Sequence, residues 1–417
     1  MNAGLLSLLA ILAAIVIGFT RKANVGILCM AFAMLISIIY KIPANKLIAG
    51  FSSSLFIQMT GITYLFAIVH VNGALELLAQ KLAGLTGKHY HLVPFVMFVL
   101  GFILSAVGPG SIPCLAIIPI IAIPIAVSSG VNPIMTALIG DLGAMAGRMS
   151  PLTPEAAVVR ELMVANGVKG DTVPIMICLA LCSLVTTVVV YIYYKGWRVS
   201  GVKETQAEVN RAFSREQFIS LLGLFCLMVG ALVFKWNVGL TGYLLGSLLI
   251  VMGCSDEKKC ISAIPWNVIL MVLGVGILMK VITLSGGIKI MVAALQQIMT
   301  TGTASTVMSL AAGFMSFFSS GLGVVFPTLV PIAGGIASSV GANALELVAA
   351  VVIGGTVAGF TPISTTGALI MAGVAQQENA EQRFPQNQMF VELFAVSFVA
   401  LLILAIMAFA GIFTFLV

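Results

Sequence analysis

Two opposite charges and two clusters of hydroxyls stand out in a chain that is 60% hydrophobic and only 8% charged. Asp141 and Arg148 lie on one apolar stretch, and SPLTPEAA (150–157) and TPISTTGA (361–368) place Ser, Thr and Pro inside others. An ionisable residue at membrane depth is costly and marks a functional site by default. Arg offers a planar fork that takes a carboxylate through two parallel hydrogen bonds. A Ser or Thr just ahead of a helix caps its free N–H groups, and Pro fits the first helical position. A helix that starts inside an apolar run presents those N–H groups, with the positive end of its dipole, as an anion site. Thr153 before Pro154, and Ser364, Thr365 and Thr366 before Gly367, are the expected caps. Carbonyls freed on the other side of each break suit a small hard cation such as sodium. The expected chemistry is binding of an anion with a coupling cation. Arg148 either contacts a carboxylate of the ligand or pairs with Asp141 to hold the break. Glu155, at a half-helix start, is favoured by the dipole and competes with an anionic ligand.

The elements that position these residues follow from composition. Apolar runs such as 3–19, 171–194 and 394–417 approach the roughly 20 residues of a spanning helix. The 417-residue chain therefore reads as an all-α polytopic membrane protein. A β-barrel would show short alternating strands. No A-x-A-like site follows the first run, which reads as a retained span and not a signal peptide. The net charge of +6 is scattered over short loops, as membrane topology requires, and is no nucleic-acid footprint. The seven cysteines read as small hydrophobes. His70, His89 and His91 lack metal-ligand spacing, and no Walker A motif or nucleophile–base pair occurs, so no enzyme and no cofactor are expected.

The chain is written twice. GFILSAVGPGSIPCLAIIPI (101–120) aligns with GFMSFFSSGLGVVFPTLVPI (313–332), Gly61 and Gly73 with Gly274 and Gly286, and Gly130 and Asn132 with Gly341 and Asn343. SPLTPEAA falls on TPISTTGA at nearly the same offset. The expected division is an N-terminal repeat over 1–195, a cytoplasmic linker over 196–216 and a C-terminal repeat over 217–417. Each repeat has three spans, an amphipathic piece, two interrupted segments and a final span. The first interruptions, VGPGSIP (107–113) and SSGLG (319–323), have short arms such as 92–104 and 112–127. They suit re-entrant hairpins at about 92–127 and 303–340. The second suit helices broken at mid-bilayer, at about 133–166 and 344–377.

Five crossings per half, an odd number, make the second repeat inverted, with about ten crossings and two hairpins in all. With both termini on one face, the opposite face collects twelve Lys and Arg against seven, and Arg148 stays inside. The richer face is cytoplasmic. Both termini are then external, and the first hairpin opens inward, the second outward. Unpaired backbone survives at membrane depth only when buried or lining a cavity, so the two tips and two breaks are expected to converge on one site.

Through NKLIAGFSSSLFIQMTGITYLF (45–66), GPGSIPCLAIIPI (108–120) and MSPLTPEAA (149–157), the chain resembles the MatC-type dicarboxylate (malonate) carriers of the ion transporter superfamily. Sodium–dicarboxylate symporters of that superfamily share two inverted repeats, each with a hairpin and a broken helix. The resemblance implies an elevator mechanism, a homodimer joined through scaffold helices, and a dianionic substrate held at the hairpin tips. The better-known symporters carry Ser-Asn-Thr at both tips, whereas VGPGS and SSGLG stand here, so Ser105, Ser111, Ser319 and Ser320 correspond by position. The expected substrate contacts are Ser105, Gly108, Pro109, Gly110, Ser111, Arg148, Ser150, Thr153, Ser319, Ser320, Gly321, Thr361, Ser364, Thr365 and Thr366. A sodium ion would draw on Gly110, Ser111, Thr153, Ser320, Gly323 and Thr365. The expected function is symport of small dicarboxylates, such as malonate or C4-dicarboxylates, with sodium or protons across the inner (plasma) membrane of a bacterium. The alternatives are a cation/proton or citrate-type antiporter centred on Asp141, and a membrane subunit of a multi-component uptake system.

Overall fold

Apolar segments with no water to bond must satisfy their backbone groups internally, and among the described residues all regular structure is helical. The computed structural model describes residues 3–417 except 22, 76, 79–80, 82–88, 109, 199–211, 235, 265, 318–319, 363 and 376–382. In chain order the helices are α1 (Ala3–Arg21), α2 (Val25–Tyr40), α3 (Ala44–Ile48), α4 (Ser53–Val71), α5 (Val93–Val107), α6 (Ser111–Ser128), α7 (Pro133–Ala146), α8 (Pro154–Ala165) and α9 (Thr172–Tyr193). There follow α10 (Arg215–Leu232), α11 (Val238–Val251), α12 (Glu257–Ala263), α13 (Trp266–Leu284), α14 (Gly287–Gln296), α15 (Ala304–Ser316) and a π turn (Gly321–Val325). The chain ends with α16 (Phe326–Val340), α17 (Ala344–Val357), α18 (Thr365–Ala375), α19 (Gln386–Phe409) and α20 (Ile412–Leu416).

Asparagines at matched positions start matched helices. Asn24 caps α2 as Asn237 caps α11, and Asn132 caps α7 as Asn343 caps α17. Each side chain accepts an amide of the first turn, satisfying a donor that the helix cannot. Glycines set the closest crossings. A Cβ at Gly61 in α4 would overlap the Gly239 carbonyl in α11, and one at Gly274 in α13 would overlap the Gly26 carbonyl in α2. The backbones of α4 and α11, and of α13 and α2, therefore touch directly.

Around the breaks, α5 packs along α7 in the same direction, with Gly143 against the Phe98 carbonyl and Gly147 against that of Phe102. α6 turns back along α7, so the turn between α5 and α6 lies beside the end of α7. α15 and α17 pair in the same way, with Gly354 against the Ser309 carbonyl. The second arm of each hairpin also meets a half-helix from the other half of the chain: α6 packs on α18, and α16 on α8.

Among the described residues, five helices are long and apolar enough to cross a membrane, and one bent pair makes up to six. Seven more apolar helices run only 10–17 residues. The chain has the build of a polytopic membrane protein. The hairpin arms are longer than the sequence reading makes them. α5 has 15 residues and α6 has 18, and at 1.5 Å per residue α6 is about 27 Å long. Pro113 falls in the first turn, where no intrahelical N–H is needed, and the helix continues through Pro119 and Pro124. Arm length alone therefore does not separate a re-entrant hairpin from two crossings.

Candidate functional site

The two breaks are built alike, bond for bond. Thr153 Oγ1 donates to the Arg148 carbonyl at 2.6 Å and lies 2.9 Å from the Ser150 carbonyl, and it accepts the Ala156 amide at 3.1 Å. Ser364 Oγ lies 3.0 Å from the Gly359 carbonyl and 2.7 Å from the Thr361 carbonyl, and it accepts the Gly367 amide at 3.2 Å. One hydroxyl thus closes the turn that ends α7 or α17 and starts α8 or α18. Pro154 occupies the first position of α8.

Arg148 projects from the first break into the junction of the interrupted elements. It is 6% exposed. Its Nη1 donates to Thr356 Oγ1 of α17 at 3.1 Å. Its guanidinium carbon lies 5.1 Å from the centroid of the Phe326 ring of α16, within cation–π range. A Cβ at Gly321, in the π turn, would sit 3.6 Å from Nη1.

Its charge partner is Glu155 of α8. Arg148 Nε lies 3.2 Å from Glu155 Oε1. The same carboxylate reaches the first hairpin: Oε2 accepts the Ser111 amide at 2.8 Å and Oε1 accepts Ser111 Oγ at 2.7 Å. Gly110 holds φ +75 and lies so close to Glu155 that a Cβ there would overlap Oε2. Both the left-handed backbone and the close approach call for glycine. The Arg148–Glu155 pair thereby ties together the tip of the first hairpin, both breaks and the second hairpin.

This revises one expectation. Asp141 is fully buried on α7, and neither carboxylate oxygen has a hydrogen-bond partner among the described residues. It does not hold Arg148. α7 is unbroken from Asp141 to Ala146, which leaves Asp141 about one and a half turns, or ~7.5 Å, before the helix end. The chain beyond the break delivers Glu155 instead.

The other expected contacts sort by surroundings. Ser105 is buried at the end of α5, and its hydroxyl has no partner among the described residues. Gly108 lies against the Phe66 ring of α4. Ser150 Oγ lies 3.4 Å from the Leu152 amide. Thr361 Oγ1 donates to the Phe317 carbonyl at the end of α15, at 3.1 Å. Ser320 caps the π turn by accepting the Gly323 amide at 3.1 Å. Thr366 is buried in the first turn of α18, and of Thr365 only the backbone is described. Pro109 and Ser319 lie outside the described residues. No group of three or more His, Cys, Asp or Glu that could hold a metal ion occurs among the described residues. Glu155 as the central partner, and Thr356 and Phe326 beside Arg148, are not among the residues expected to bind. Glu155 carried a signal: an acid in the first turn after a break faces free amides of more than its own helix. Thr356 and Phe326 carry none.

Beside the first tip a small cavity of about 40 Å³ opens between α4 and the hairpin. Phe66 and His70 of α4, Leu104 of α5, Cys114 of α6 and Ala263 of α12 line it.

Residues 1–148 match the family model for the N-terminus of the dicarboxylate carrier protein MatC. No curated protein sequence matches the chain. Among solved structures, the YdaH transporter of Alcanivorax borkumensis superposes with a TM-score of 0.64 at 13% identity, over 88% of this chain and 87% of that one. MtrF of Neisseria gonorrhoeae, described with a class of antimetabolite efflux pumps, superposes with a TM-score of 0.55 at 13% identity, over 89% and 84%. At such identity the likeness is one of fold, and it is a fold found in transporters.

Proposed function

We propose that the chain is a secondary transporter of small dicarboxylates, coupled to sodium or protons. The observation that carries this reading is the buried carboxylate-binding junction at Arg148, where two hairpin turns and two helix breaks meet. The match of residues 1–148 to a dicarboxylate carrier model supports the substrate class. Coupling answers an energetic need. Each negative charge moved into a cell costs about 2.3 kcal/mol per 100 mV of inside-negative potential. A dianion therefore travels with cations.

In this reading the two halves are inverted repeats. The matched Asn caps, glycine crossings and hydroxyl-closed breaks support a duplication, and five crossings per half invert it. The hairpins are re-entrant, because their tips lie beside breaks midway along the α7–α8 and α17–α18 units. The hairpins and broken helices move as an elevator against a scaffold of α4, α11, α2 and α13, and two copies join through the scaffold. The membrane is the inner membrane of a bacterium, with both termini external.

The test is reconstitution of the chain alone in proteoliposomes. Sodium and proton gradients are varied separately in both directions, against a panel that includes malonate and succinate. Concentrative, gradient-dependent movement of a dicarboxylate is expected. Silence until a binding protein is added would instead identify a subunit of a larger system. A second reading, cation/proton antiport at Asp141, draws on that residue's carboxylate, which has no hydrogen-bond partner among the described residues. It requires a sodium-dependent pH change with no organic anion present.

A further inference from the structure

Glu155 occupies the position at which a ligand carboxylate would be bound. Its oxygens take the Ser111 amide at 2.8 Å and the Ser111 hydroxyl at 2.7 Å, and Oε1 lies 3.2 Å from Arg148 Nε. The Glu155 side chain is 1% exposed and that of Arg148 7%. Gly110 leaves no room for a side chain beside it. Two hydrogen bonds from Ser111 and the adjacent charge of Arg148, whose Nε pairs with Oε1 by charge without a hydrogen bond, form a carboxylate site whose occupant belongs to the chain itself.

Among the described residues, the other recorded side-chain partners of Arg148 are Thr356 Oγ1 and the Phe326 ring, neither of which carries a charge. Glu155 is thus the carboxylate placed to balance it. A guanidinium buried without a counter-charge is strongly disfavoured inside a protein and more so within a membrane. An empty carrier with a bare Arg148 would therefore cross back slowly. The donors around Ser111 and Arg148 are one set, so a ligand carboxylate and Glu155 cannot both hold them.

We propose that Glu155 is an internal counter-ion, which the carboxylate of the transported ligand displaces and whose return to Ser111 and Arg148 lets the empty carrier reorient. The displaced Glu155 carboxylate then needs a positive partner, a role the co-transported cation fills. This rests on the dicarboxylate-transport reading.

The experiment compares two modes in proteoliposomes with radiolabelled malonate or succinate, whichever the wild type accumulates. Net uptake requires the empty carrier to return; exchange against internal unlabelled ligand does not. Glu155→Gln keeps the shape and can still accept from Ser111, but it leaves Arg148 unbalanced in the empty state. The expected result is at least a tenfold fall in the ratio of net uptake to exchange. Adding Arg148→Gln removes the charge that needed balancing, and the ratio should return toward the wild-type value although affinity falls. A Glu155→Gln ratio equal to the wild type would overturn the proposal. If the single variant loses both modes, the double variant decides. It is then judged by thermal unfolding in detergent without ligand: a midpoint lowered in Glu155→Gln and restored on adding Arg148→Gln supports the counter-ion role, and a double variant no more stable than the single refutes it. A wild type that neither accumulates nor exchanges any dicarboxylate sinks the transport reading, and this inference with it.

Discussion

Replacing Arg148 by lysine would keep the charge and lose the fork. One ammonium cannot stand 3.2 Å from Glu155 and 3.1 Å from Thr356 at the places Nε and Nη1 occupy. Loss of a hydrogen bond to a charged group costs about 1.5–3 kcal/mol. Dicarboxylate affinity should fall by roughly ten- to a hundredfold, as measured by competition in uptake assays. Arg148→Ala should be worse for the fold, by about 3–5 kcal/mol, because it strands a buried carboxylate. Thermal unfolding in detergent then reads the pairing: adding Glu155→Gln should recover much of the loss, and adding Asp141→Ala should recover none. Recovery with Asp141→Ala alone would reassign the partner. The two cap hydroxyls make a matched pair of tests. Thr153→Ala and Ser364→Ala each remove a cap worth about 1 kcal/mol, and both should impair transport, whereas Thr153→Ser keeps the hydroxyl and should retain activity. Wild-type affinity in both alanine variants would make the breaks purely structural.

At the scale of elements, the helix crossings rest on glycines that have no substitute. A methyl group at Gly61 or Gly274 would collide with the backbone carbonyl of the facing helix, and overpacking of this kind costs about 1–3 kcal/mol or more. Gly61→Ala and Gly274→Ala should each lower the midpoint of thermal unfolding in detergent. Gly302→Ala, at a position with nothing within 4 Å, should leave it within the roughly 0.5 kcal/mol expected of a neutral surface change. An unchanged midpoint in the two crossing variants would mean that α4–α11 and α2–α13 can part without penalty.

For the whole molecule, the distribution of basic residues makes a testable statement about sidedness. The linker over 196–216 carries Arg198, Lys203, Arg211 and Arg215 and should lie in the cytoplasm; residues 199–211 fall outside the described structure. In a background without cysteines, a cysteine at Ser200 should react with a membrane-impermeant reagent only after the cells are opened. Labelling in intact cells would invert the topology and with it the direction in which each hairpin opens.

Helical class, the places where helices stop and the hydroxyls that restart them were legible in the sequence, because each depends on local chemistry. An apolar run must be helical in lipid, Gly and Pro interrupt it, and Ser or Thr before a helix caps it. The stops at Val107, Ala146, Ser316 and Val357 all precede such interruptions. The extent of the hairpin arms was less legible, since an apolar helix tolerates Pro in its first turn and bends around it further on. The heart of the site was not legible at all. Asp141 precedes Arg148 by the same number of residues that Glu155 follows it, so spacing could not choose between them. Tertiary structure chose. Asp141 stays inside α7, about one and a half turns, or ~7.5 Å, before the helix ends, while the chain beyond the break brings Glu155 to 3.2 Å. The same fold brings Thr356 and Phe326 from the other half of the chain onto Arg148, contacts across more than 170 residues that no local rule could select.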